Sequence, residues 1–60
     1  MTPRIHEGKG GRYVVFEKLA SGMYLVILRS GAGEVMDKVR CDTYAMAADY
    51  RKAFIKIARA

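Results

Sequence analysis

The chain's strongest constraint is the run Met23-Tyr-Leu-Val-Ile-Leu28, apolar throughout, closed by Arg29 and followed at once by Ser30-Gly-Ala-Gly33. A run this short, with valine and isoleucine in it and glycine at both ends, reads as a strand rather than a helix. It lacks the apolar–polar alternation of a half-exposed strand, so both of its faces want cover. Such a strand needs a neighbour on each side and a lid on at least one face. The rest of the chain must supply them.

The flanking segments fit. Arg12 to Leu19 carries Tyr13-Val-Val-Phe16 and reads as the preceding strand, with charges near its ends as edge strands often have. Ala20-Ser-Gly22 makes the turn. Glu34 to Cys41 reads as the following strand, Val35, Val39 and Cys41 alternating with Met36, Lys38 and Arg40. Asp37 interrupts the apolar side and marks a bulge or a rim position. Asp42-Thr43 offers two candidate caps for a terminal helix. In that helix Thr43, Ala47, Tyr50, Phe54 and Ile57 share a face, widened by Met46, Ala53 and Ala58. The expected fold is α+β: a three-stranded antiparallel meander with one C-terminal helix packed on one face (β-β-β-α). Residues 12–60 form this single domain. Residues 1–11, with Pro3, Gly8, Gly10 and Gly11, read as a flexible N-terminal arm.

Size and chemistry narrow the function classes. Sixty residues make one small domain with little room for a cleft between lobes. His6 is the only histidine and Cys41 the only cysteine. They supply neither a nucleophile–base pair nor a metal ligand set. The carboxylates are scattered singly, and Gly8-Lys-Gly-Gly11 lacks the strand and helix that frame a phosphate loop. The expectation is a non-enzyme with no metal, no cofactor and no small-molecule substrate. One cysteine and no signal-peptide pattern suggest the cytoplasm, and no run is long enough to span a membrane. The net charge of +5 permits an acidic partner such as nucleic acid.

Gly22 to Arg29, the Gly31-Ala-Gly33 turn, Asp42-Thr43 and Ala47-Ala48 together resemble two related three-stranded DNA-binding domains. These are the arm-binding domain of phage integrases and the plant ethylene-response-factor domain. The resemblance spans Gly22 to Ala58. It implies a sheet laid in the DNA major groove, with the face away from the helix making the contacts. By position it implies a DNA-facing role for Arg29, with Lys38, Arg40 and Arg12 as further candidates for phosphate contacts. Arginine can read guanine edges and lysine can neutralise phosphate. The chain departs from the plant pattern in having no tryptophan.

It departs also in the middle strand, whose outward face is apolar whichever way it points. One parity exposes Met23, Leu25 and Ile27; the other exposes Tyr24, Val26 and Leu28. Exposed apolar patches with a charged rim tend to be interaction surfaces. Two expectations follow. The first is a small nucleic-acid-binding protein contacting duplex DNA through Arg12, Arg29, Lys38 and Arg40. The second is a protein-interaction or inhibitor module, of the kind phages and plasmids encode, or a homodimer, docking through Met23, Leu25 and Ile27.

Overall fold

A computed structural model describes residues 3–60. It has the expected antiparallel sheet and C-terminal helix, but the sheet has four strands rather than three. They are β1 (Arg4–Glu7), β2 (Tyr13–Lys18), β3 (Tyr24–Arg29) and β4 (Val35–Cys41), side by side in chain order and antiparallel throughout. Helix α1 (Tyr44–Ala58) follows. The additional strand comes from the stretch read as an arm, whose Met1 and Thr2 lie outside the described residues.

The glycines of that stretch explain the difference. A Cβ on Gly8 would collide with the backbone carbonyl of Ala58 in α1. A Cβ on Gly31, in the β3–β4 turn, would collide with the carbonyl oxygen of Gly10. These glycines let backbone approach backbone, and the contacts dock the N-terminal segment against the helix end and a distant turn. A short 3-10 turn at Lys9–Gly11 then reverses the chain. The Gly8 N–H donates to the Arg12 carbonyl at 2.7 Å. Arg12 in turn donates to the carbonyls of Lys9 (3.1 Å) and Ala60 (3.4 Å), joining this corner to the end of the helix.

The core lies between sheet and helix. Val14 and Phe16 of β2, Val26 and Leu28 of β3 and Cys41 of β4 pack against Ala47, Phe54 and Ala58 of α1. Burying each large apolar side chain stabilises the fold by about 1.5–3 kcal/mol. The register pairs Val14 with Leu28, Phe16 with Val26, and Val26 with Val39, so these side chains share the helix-facing side. The parity of β3 is thereby decided. Tyr24, Val26 and Leu28 turn toward the helix; Leu25 and Ile27 turn away.

The helix begins where a cap was expected: the Thr43 Oγ1 accepts from the Met46 N–H at 3.3 Å. Its buried stripe is rotated relative to the expected one. Ala47, Phe54 and Ala58 are buried, whereas Met46, Tyr50 and Ile57 are 49%, 42% and 46% exposed. Arg51 accounts for the rotation. Its guanidinium lies 4.7 Å from the Phe16 ring centre and 5.9 Å from that of Tyr44. Phe16, Tyr24 and Tyr44 form a triangle with centre separations of 5.7–5.8 Å. This corner draws the Arg51 side of the helix onto the sheet. The expected irregularity at Asp37 is also present: the β3–β4 register slips between Leu28 and Arg29, leaving Met36 as the extra residue.

Adding one methyl group at Gly8 or Gly31 tests the docking of the N-terminal segment. Gly8→Ala and Gly31→Ala should each lower stability by about 1–3 kcal/mol, because the obstacle is backbone rather than a movable side chain. Urea unfolding should show the midpoint falling with the slope unchanged.

Candidate functional site

The outer face of the sheet is built by the alternation that builds the core. With Val14, Phe16, Val26 and Leu28 turned to the helix, the intervening residues face out. The register sets them in rows across the strands. Ile5, Val15, Ile27 and Lys38 form one row, Glu17, Leu25 and Arg40 a second, and Glu7, Tyr13, Arg29 and Val35 a third. The middle of the face is apolar, and β1 adds Ile5, 60% exposed, to the stripe expected from β3 alone.

Charge on this face is graded. Glu7 and Glu17 stand on the β1–β2 side, and Arg29, Lys38 and Arg40 on the β3–β4 side. Lys38 and Arg40 occupy successive outward positions of an edge strand and are exposed. Arg29 is partly buried. One of its N–H groups donates to the Gly33 carbonyl at 2.7 Å, bracing the turn.

Arg12 is not with these three. It lies at the same end of the sheet as Arg29 but is turned to the β1–β2 corner, donating to the Lys9 and Ala60 carbonyls beside an open hollow of about 480 Å³ that Ile5, Glu7, Gly8, Gly11 and Tyr13 also line. Of the apolar candidates, Leu25 and Ile27 lie on the outer face, while Met23 stands half-buried just before β3. The two glutamates on this face were not anticipated. Glu17 was legible as an outward neighbour of Val15 once Phe16 was assigned inward; Glu7 was not, because its strand was not expected.

Cys41 is a buried core residue at the end of β4. Among the described residues, no three His, Cys, Asp or Glu side chains group together, and no helix is long and apolar enough to cross a membrane. Comparisons with family models, curated proteins and solved structures find no match to this chain.

His6 belongs to the helix side of β1, opposite Val14. Its Nε2 is buried and without a hydrogen-bond partner. Burial, and then the positive charges of Arg51, Arg59 and Arg4, hold its pKa below the ordinary 6.5. The unfolded chain therefore takes up a proton near 6.5 that the folded chain resists. Stability should be full above that pH and should fall as pH drops through 6.5 toward the folded value. Thermal unfolding of His6→Gln should lack that part of the slope.

Proposed function

We propose that this chain is a small nucleic-acid-binding module that meets duplex DNA with the β3–β4 side of its outer sheet face. The observation that carries the reading is the grouping of Arg29, Lys38 and Arg40 on one flank of that face. An exposed edge strand with two outward cations can approach a groove without steric obstruction from the helix, which lies on the other side. Lysine and arginine there would neutralise backbone phosphates. Arg29, braced by its turn, is held in a fixed direction, which suits a planar donor set for base edges or phosphate. The overall charge of +5 supports the same reading.

A second reading has its own support. The apolar middle of the face, Ile5, Val15, Leu25 and Ile27, is more than duplex DNA can satisfy, since base edges offer little apolar surface beyond the thymine methyl. A second copy would match it. Turned about a two-fold axis parallel to the strands, the copy would set its Glu7–Glu17 flank over the Lys38–Arg40 flank of the first. Its apolar rows would then meet their equivalents.

Fluorescence anisotropy of labelled duplex DNA, at low and near-physiological salt, separates the two. The DNA reading expects micromolar binding at low salt, and Lys38→Ala/Arg40→Ala should weaken it several-fold and flatten the log–log salt slope by about 2. Unchanged binding in the double variant would overturn it. The second-copy reading expects a dimer by sedimentation that Ile27→Glu splits into folded monomers. A wild-type protein that sediments as a monomer at high concentration would overturn that one.

A further inference from the structure

On the helix side of the molecule, β1 and α1 enclose an open hollow of about 600 Å³ lined by Arg4, His6, Ala48, Asp49, Arg51, Lys52 and Ile55. It lies across the sheet from the face discussed above. Its wall carries three cations, Arg4, Arg51 and Lys52, against one carboxylate. Arg4 and His6 are alternate residues of β1 on the helix-facing side, as their pairing with Phe16 and Val14 requires. Arg51 and Lys52 come from the middle of α1. Asp49 is the one carboxylate on the wall, and Arg59 lies near enough to act on His6 from the helix end while donating to the Glu7 carbonyl at 3.4 Å.

Two features make this more than a patch of solvated charge. Arg51 is pre-positioned. Its guanidinium carbon is held 4.7 Å from the Phe16 ring centre and 5.9 Å from that of Tyr44, contacts that do not themselves use its N–H donors. His6 lines the hollow, and its Nε2 is buried with no hydrogen-bond partner, a condition rare enough in folded proteins to want a cause.

We infer that this cleft binds a phosphate-class anion, with Arg4, Arg51 and Lys52 supplying the charge and donors and His6 forming the floor. The anion would offset the mutual repulsion of the cations and give the imidazole a reason to protonate. Once protonated, His6 has a donor at each ring nitrogen. In the free protein burial is the main cause that holds the His6 pKa down, and the positive field of Arg51, Arg59 and Arg4 adds to it. A bound anion should raise the His6 pKa, and by linkage the anion should bind more tightly as pH falls through that range. The same chemistry is offered by a nucleic-acid backbone phosphate and by a small free phosphate.

The test is an NMR titration of the full chain with inorganic phosphate, followed at the His6 ring and at backbone amides. The expected result is saturable shifts confined to Arg4, His6, Ala48, Arg51 and Lys52, with a dissociation constant of about 1 mM or tighter. The His6 titration midpoint should rise when phosphate is present. The variant Arg4→Gln/Lys52→Gln changes two exposed side chains and keeps the stacked Arg51. It should weaken phosphate about tenfold while its amide spectrum stays folded. Shifts that do not saturate, a His6 midpoint unmoved by phosphate, or unchanged affinity in the double variant would each overturn the inference. A parallel titration with a single-stranded oligonucleotide identifies the source. Cleft shifts at far lower oligonucleotide than phosphate concentration point to a nucleic-acid backbone. Phosphate filling the cleft while the oligonucleotide leaves it untouched points to a small free phosphate. Because the Lys38 and Arg40 amides report separately, failure of this site and failure of the outer-face reading give different spectra.

Discussion

The packing of Ala47, Phe54 and Ala58 onto Val14, Val26 and Leu28 is the contact on which the rest depends. Val14, Val26 and Ala47 lose all contact with solvent in it. The two alanines keep the helix close to the sheet, and Phe54 fills the space between layers. A domain of this size has no second core to fall back on. One helix has one sheet face to cover, so burying this side leaves the other side of the same strands in solvent. The apolar outer rows are a direct consequence of how the core is made.

The same constraint separates the two candidate sites. Strand alternation sends Lys38 and Arg40 outward and Arg4 and His6 inward, so the chain's cations are divided between opposite sides of the sheet. On the outer face they stand at one flank with glutamates at the other. On the inner side they gather where edge strand β1 meets the middle of α1. The edges matter in both cases. β1 and β4 are the two open edges of the sheet, and charged residues on them also discourage indiscriminate strand pairing with other molecules.

A local signal was present for β2, β3, β4 and α1. Each carries its own periodicity and its own punctuation, from the glycine turns to the Thr43 cap, and these act between residues near in sequence. Lys38 and Arg40 share a face by the alternation of their own strand, whereas the face of Arg29 stayed open with the parity of β3 and only the resemblance set it beside them. Arg4–Glu7 carried no such signal. A strand of four residues with isoleucine as its only large apolar side chain lacks a usable pattern, and glycines beside it ordinarily mean disorder. Their use here depends on Ala58 and Gly31, partners far along the chain.

The sequence by itself therefore determined the antiparallel order of the later strands, the terminal helix, the basic charge and the existence of an apolar face left over. These follow from local propensity and from the two periodicities of backbone geometry. Only the tertiary structure decided the fourth strand, the inward parity of Val26, the rotation of the helix toward Arg51 and the union of Arg4 and His6 with Arg51 and Lys52. Each rests on a contact between residues distant in sequence. Such contacts are selected by close packing and backbone approach, which no local pattern encodes.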